Sequence, residues 1–564
     1  MHKYLFCLLF ICWLGGFSCQ MGNQAKSTRP NILLIVADDL GFSDPGCFGG
    51  EIRTPHLDQL AAEGIRNTAF YTLPVCSPTR GMLLTGVDNH HNGYGTMEGD
   101  WAPNQQGVRG YEGHLNFDVL TFPRLLHDHG YHTSIAGKWH QATPPGNVDL
   151  WPDQRGFERS FCLMNGGAGH FADMQRMFSF YERSYYAEDG VLLDSLPEGF
   201  YSSDFYTDKS IAYINESQEQ ARPFFSFLSF TAPHWPLQVP DEDLDRYRGR
   251  YDEGYEVLAA ERFARLKALG IVPEGDSLAP LSPNVLPWSQ LSEVEQAHSA
   301  RTMEIYAAMV ERMDANIGRL LAHLKTIGVY DNTLVVFLAD NGAEGNHVGS
   351  IVNTEAWVAE NFDNRLENMG RPNSYLYTGP SWAQVSSLPW KWYKSFATEG
   401  GVRCPSIIRY PWQQDQAGTF NAQFISVMDL APTFLELAGV EHPGHRYQDR
   451  EIYPMDGISL LSWLQGERPY THIPDAPHCW EMYGRRGVRR GNWKAEWMEP
   501  PYGANAWELY DLDKDPGEQV NLAGVYPEIL TELTTAWDAY AERYELVLPS
   551  ERVGYGPDKV WLEE

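Results

Sequence analysis

Short, wholly apolar runs alternate with stretches of helical periodicity along most of this chain. NILLIV (31–36) has the length and content of a strand buried on both faces. After it, Thr54 stands at the N-cap position of a helix opening on Pro55, whose amphipathic face starts with Pro55, Leu57, Leu60 and Ala61. A helical LTFPRLLHDHG (120–130) leads into YHTSIAG (131–137), and a helix over roughly 203–218 precedes PFFSFLSF (223–230). The longest helical pattern, roughly 296–327, spaces Met303, Tyr306, Val310, Met313, Ile317 and Leu320 along one face. It ends at Gly328 and feeds TLVVFLA (333–339). Such alternation predicts an α/β fold, a large mixed and mostly parallel sheet sandwiched by helices.

Beyond about residue 465 the texture changes. RRGVRRGNWKAEW and WELYDL read as antiparallel strands and PEILTELTTAWDAYAERY as a final helix, which makes a smaller C-terminal α+β domain. The basic run Arg485, Arg486, Arg489 and Arg490 reads as solvated strand surface, with a glycan or phosphate site as the alternative. The Gly- and Asn-rich stretch 341–385 reads as loops, and no internal repeat is visible. The expected organisation is an export segment (1–19), a linker (20–29), a large domain (30–465) and a smaller one (466–564).

The export segment, MHKYLFCLLFICWLGGFSCQ, joins a basic start to an apolar run too short to span a bilayer comfortably. GFSC, which ends at Cys19, resembles a loose lipobox, so both a lipidated Cys19 and plain cleavage stay open. Either places the protein outside a bacterial cytoplasm: periplasmic, tethered to the cell surface as a lipoprotein, or secreted.

Composition narrows the chemistry. With 564 residues, 43% of them hydrophobic, the chain can bury a large core. A formal charge of −31 excludes nucleic acid as a partner and obliges any anion site to carry its own cations. Salt screens charges beyond roughly 8–10 Å, so a local cluster can prevail. Three of the eight cysteines fall in the export segment; Cys47, Cys76, Cys162, Cys404 and Cys479 remain, scattered and odd in number. They make no disulfide framework, and one calls for a chemical explanation.

Polar residues follow four of the apolar runs: Asp38 and Asp39; Lys138 and His140; His234; Asp340 and Asn341. Singly, each has an ordinary reading as a turn, a helix cap or a packed loop residue. Together they suit the carboxyl ends of parallel strands, where ligands bind in open α/β sheets. Asp38, Asp39, Asp340 and Asn341 offer oxygen ligands for a hard cation, Ca²⁺ before Mg²⁺. Arg80, Lys138, His140, His234 and Lys394 offer a cationic cradle for a tetrahedral anion, a sulfate or phosphate ester. A second acidic stretch, DLDKDPGEQVNL (511–522), fails as a calcium loop because Pro516 takes the glycine position and Leu522 the final glutamate; it reads as a turn with Asp caps.

CSPTRGMLLTG (76–86) resembles the signature of the formylglycine-dependent type I sulfatases of the alkaline phosphatase superfamily. VADDLG, GKWH, APHWP, ADNG and KSFATEGG extend the resemblance over nearly all the chain after the export segment. GYEGHLN (110–116), GRPNSYLYTGPSWAQ (370–384) and WELYDLDKDPGE resemble the bacterial arylsulfatase branch in particular. Two small departures are GKWHQA, without the frequent Leu-Gly, and Cys404, where a small apolar residue is common. The resemblance implies an alkaline phosphatase-like fold and oxidation of Cys76 to Cα-formylglycine (3-oxoalanine) by a separate maturation enzyme. It implies Ca²⁺ held by Asp38, Asp39, Asp340, Asn341 and residue 76, with Cys76, Arg80, Lys138, His140, His234, Asp340 and Lys394 catalytic and Lys138, His234 and Lys394 binding sulfate. The hydrated aldehyde is the nucleophile, and sulfate leaves through a formylglycine-sulfate intermediate when the second hydroxyl rebuilds the aldehyde. The implied substrate is an aryl sulfate or an O-sulfated glycan. A phosphate or phosphonate monoester hydrolase on the same core, and a non-catalytic calcium-dependent glycan binder, are the alternatives; the oligomeric state is left open.

Overall fold

The computed structural model describes residues 29–142, 146–282, 285–346 and 354–554. The predicted export segment lies outside the described residues. The main sheet has eleven strands: β1 (Asn31–Ala37), β2 (Ile65–Tyr71), β3 (His132–Lys138), β4 (Arg159–Leu163), β5 (Tyr186–Glu188), β6 (Val191–Leu192), β7 (Phe224–Ser229), β8 (Thr333–Ala339), β9 (Arg403–Arg409), β10 (Phe420–Asn421) and β11 (Ile425–Ser426). Their lateral order is β10-β2-β9-β8-β1-β7-β3-β4-β5-β6, with β11 paired to β2. The centre, β8-β1-β7-β3-β4, is parallel, whereas β9 runs antiparallel between β8 and β2.

Every residue of β1, β3, β7 and β8 is buried, as the unbroken apolar runs require. Alternate side chains serve two cores: Leu33 and Ile35 pack with Leu57, Leu258, Met303 and Val310, while Ile32, Leu34 and Val36 pack with Met82, Leu83, Leu126 and Phe434. Helices therefore cover both faces, as predicted.

Helix starts deviate from the sequence reading in instructive ways. The long helix Glu293–Thr326 begins three residues before the expected position, because Ser292 and Glu295 form a capping box. Pro55 opens the helix Pro55–Glu63 but is exposed, and Thr54 does not cap it. The Thr54 hydroxyl instead accepts from the Gly46 amide (2.8 Å), while Asp314 on the long helix takes the amides of His56 and Leu57 at 3.1 and 2.7 Å. Among the described residues of 341–385, Thr354–Asn361 is helical, and a further short helix, Gly379–Ser386, ends just beyond the stretch.

After a hairpin of β12 (Arg446–Tyr447) and β13 (Arg450–Glu451), the chain forms an antiparallel meander of β14 (His478–Met482), β15 (Arg485–Arg490), β16 (Trp493–Trp497) and β17 (Trp507–Asp511). Leu533 and Trp537 of the helix Pro527–Arg543 pack on Val488, Ala495 and Leu509. Of the four arginines of β15, expected on solvated surface, Arg490 is partly exposed and pairs with Glu532, whereas the others are covered. Strand alternation sends Arg485 and Arg489 to the large domain, where they are 1% and 9% exposed. Arg489 donates to the Tyr71 hydroxyl, whereas Arg486 stacks on Trp497 and Trp537 beneath the helix. The two domains are further joined by buried Lys494, paired with Glu399 at 3.1 Å and Glu518 at 2.5 Å. In the 511–522 turn, the Asp515 carboxylate accepts from the amides of Gln519 and Val520, the role of a cap.

Candidate active site

Because β8, β1, β7 and β3 are parallel neighbours, their carboxyl ends share one edge of the sheet. Asp340 and Asn341 follow β8, Asp38 and Asp39 follow β1, His234 lies just beyond β7, and Lys138 ends β3 with His140 two residues later. Gly137 is required here: a Cβ would sit 1.7 Å from the Ser229 carbonyl oxygen. Cys76 is the first residue of the helix Cys76–Thr85, entered from extended Val75, with Pro78 in its first turn. Arg80 projects from the next turn toward the same edge.

The side chains interlock. Lys138 Nζ lies 2.9 and 2.7 Å from the two Asp38 carboxylate oxygens, and Lys394 Nζ lies 2.9 and 2.8 Å from those of Asp39. Arg80 holds Asp340 Oδ2 through Nε (2.8 Å) and Nη2 (2.7 Å), and donates to Ser229 Oγ at 2.6 Å. Asn341 Nδ2 donates to Asp39 Oδ1 at 2.6 Å. His234 Nε2 lies 3.4 Å from Asp39 Oδ2, and His140 Nδ1 3.3 Å from Cys76 Sγ. All these groups are buried except His140, which is half-buried.

Burial, followed by the charges of Lys138, Arg80, His234 and Lys394, pushes His140 well below its ordinary pKa, so its imidazole is neutral. His234 is lowered too, by burial against the opposing pull of Asp39. Burial also raises the Cys76 thiol, so Cys76 and His140 stay an uncharged pair, not the thiolate–imidazolium pair of a cysteine nucleophile. Burial pulls Lys394 down, but Asp39 and Glu344 outweigh it and hold the ammonium charged.

The donor set fits a divalent cation. The ligand atoms of Asp38, Asp39 and His234 lie within 4.8 Å of one another. Asn341 Oδ1 is buried with no hydrogen-bond partner, an uncommon and costly state that a cation would relieve. Burial raises Asp38, and the neighbouring Asp340 and Asp39 add to that rise. Asp38, Asp39, Asp340 and Glu344 face three permanent cations, Arg80, Lys138 and Lys394. The cluster is therefore net negative alone and net positive with a dication, as an anionic substrate requires.

Residues 30–440 match the family model for sulfatases. The chain belongs to the sulfatase family. A second model, for the C-terminal region of N-sulphoglucosamine sulphohydrolase, matches residues 389–539. The chain is 44% identical to an uncharacterised sulfatase of Schizosaccharomyces pombe, over 94% of this chain and 97% of that one. It is 40% identical to the arylsulfatase of Klebsiella aerogenes, over 78% of this chain and 92% of that one. The crystal structure of Ps i-CgsB in complex with k-i-k-neocarrahexaose shares the fold at TM-score 0.65, with 24% identity over 93% of this chain and 95% of that one. The protein is thus a sulfuric ester hydrolase, of a family that uses formylglycine and a divalent metal ion.

In this sulfatase the structure brings together every residue singled out from the sequence. It also adds groups that sequence reasoning missed. Glu344 lies 2.9 Å from Lys394 Nζ and is fixed by the Asn346 amide at 2.7 Å; its one sequence signal is its place four residues after Asp340. Ser229 orients Arg80, and His234 reaches the carboxylate cluster as well as facing the cradle.

Proposed function

We propose that this sulfatase is exported and releases inorganic sulfate from phenolic or sugar sulfate monoesters, with residue 76 as formylglycine and Ca²⁺ as its metal. Asp38, Asp39, Asp340 and Asn341, with residue 76, would hold the ion, which would neutralise charge on a sulfate oxygen. Calcium suits a flexible all-oxygen set better than magnesium does. Oxidised residue 76 supplies a geminal diol, one hydroxyl to attack sulfur and one to expel sulfate. Asp340 takes the proton of the attacking hydroxyl, and Arg80 and Lys138 balance the charge that results. His234 and Lys394 grip the sulfate, and one of them protonates the departing oxygen. His140, neutral and within reach, takes the second proton so that sulfate can leave.

The observation that carries this reading is the position of Cys76 at a helix N-terminus, 3.3 Å from a neutral imidazole and beside the carboxylate and lysine pairs. The test uses enzyme co-expressed with a formylglycine-generating enzyme. Sulfate release is measured on nitrophenyl sulfate and on defined O-sulfated saccharides, phosphate release on nitrophenyl phosphate, and residue 76 is examined by peptide mapping. Loss of the thiol in active enzyme, faster sulfate than phosphate ester turnover, and no turnover in Cys76→Ala are expected. Active enzyme with an intact thiol at 76, or preference for the phosphate ester, would overturn it.

A further inference from the structure

Lys394 sits in a strained loop. Trp392 and Ser395, neither of them glycine, adopt φ of 59° and 78°, so left-handed backbone flanks the lysine. Such a conformation persists only where its surroundings hold it. The Ser395 amide donates to the carbonyl of Pro74, two residues before Cys76, at 2.7 Å, and Lys394's own amide donates to the Ala343 carbonyl at 3.1 Å. The Ser395 hydroxyl accepts from Asn346 at 3.1 Å. The remaining hold comes from the C-terminal domain. Arg485 of β15 lays its guanidinium over the Phe396 ring (4.6 Å) and donates from Nη1 to the Ser395 carbonyl at 2.5 Å. Glu499 aims it from the other side, 2.7 Å from Nη2. Ser395 and Phe396 are wholly buried and Arg485 nearly so.

We propose that Arg485 is a positioning residue of the sulfatase site: through the Ser395 carbonyl it locks the loop that presents Lys394. The C-terminal domain is thereby part of the catalytic apparatus without touching substrate. The planar guanidinium matters, because it must stack on Phe396, donate to a carbonyl and pair with a carboxylate at once, which an ammonium cannot reproduce. The proposal rests on the role given to Lys394 above.

The test compares Arg485→Lys, the gentler Glu499→Gln, Lys394→Ala and the double variants, each matured and checked for folding by circular dichroism and thermal midpoint. Arg485→Lys should lower kcat/KM for nitrophenyl sulfate by about 10–100-fold, the scale of a small misplacement of a reacting group. Glu499→Gln should lower it less. In the Lys394→Ala background neither change should cost more than about twofold, since the lysine they position is gone. A merely structural Arg485 would lose the same factor in both backgrounds; that result, or wild-type kcat/KM in folded Arg485→Lys, overturns the proposal. Wild-type activity in Lys394→Ala alone would instead sink the role of Lys394, so the two failures are distinct.

Discussion

Replacing His140 with asparagine isolates one half of the proposed reaction. His140 has φ 51°, in the left-handed region that asparagine tolerates better than most residues, so the backbone should survive the change. Its Nδ1 lies 3.3 Å from Cys76 Sγ, the atom standing where an oxygen of the proposed matured residue would be. Neighbouring groups are poor substitutes as a base. Arg80 and Lys394 are held charged by their carboxylate partners, and Asp38 and Asp39 each share a lysine. A positioned base contributes about 10²–10⁴-fold, or roughly 3–5.5 kcal/mol on the barrier. In the proposed reaction, attack on sulfur does not need that base, whereas expulsion of sulfate does.

Matured His140→Asn mixed rapidly with nitrophenyl sulfate should therefore release a burst of nitrophenol equal to the active-site concentration, then turn over slowly. Sulfate followed by ion chromatography should lag behind the phenol. If phenol and sulfate stay equal from the first turnover, or steady-state turnover falls less than about tenfold, His140 does not take the second proton.

Three further outcomes are expected. Treatment with a calcium chelator should abolish sulfate release and added Ca²⁺ should restore it better than Mg²⁺; full activity after chelation would argue against the ion. Asp314→Ala removes the acceptor of two helix amides and should cost about 1–2 kcal/mol in urea denaturation, with sulfate release per folded molecule unchanged. Buried His90 bridges Asp88 (2.9 Å) and Glu481 (2.8 Å); burial pulls the imidazole down, but these hydrogen bonds outweigh it and hold it at about 9. A raised folded pKa gives stability that is complete below about 6.5 and lost as pH rises through about 9, some 3 kcal/mol in all. Urea midpoints should fall over that interval in the wild type and much less in His90→Gln.

The site edge was legible because β1 and β8 are apolar runs that end abruptly in carboxylates, and parallel neighbours must end together. The capping box at Ser292 is a signal of two residues three apart that the expected start at about 296 leaves out. What escaped depends on partners far along the chain. Thr54 has the right residue type for a cap, yet the cap arrives from Asp314, more than 250 positions away. In RRGVRR both strand faces carry arginine, so pattern alone does not tell which face meets another domain. Docking decides it, burying Arg485 and Arg489 where solvent was expected. Glu344 sits in a loop whose path, not its composition, brings it to Lys394.

The backbone strain at this site has a geometric reason. In an extended strand, consecutive side chains point to opposite faces. Asp38 and Asp39 are consecutive, yet both carboxylates enter one cluster, because Asp39 turns into the left-handed region at φ 65°. His140, two residues past the end of β3, is also in the left-handed region (φ 51°), with its Nδ1 3.3 Å from Cys76 Sγ. Each such residue costs about 1–3 kcal/mol. Glycine at 39 or 140 would remove the strain and, with it, the carboxylate or imidazole that the proposed reaction uses. The strain is therefore retained where side-chain identity matters, and at Asp39 the contacts with Lys394 and His234 hold the turned residue in place.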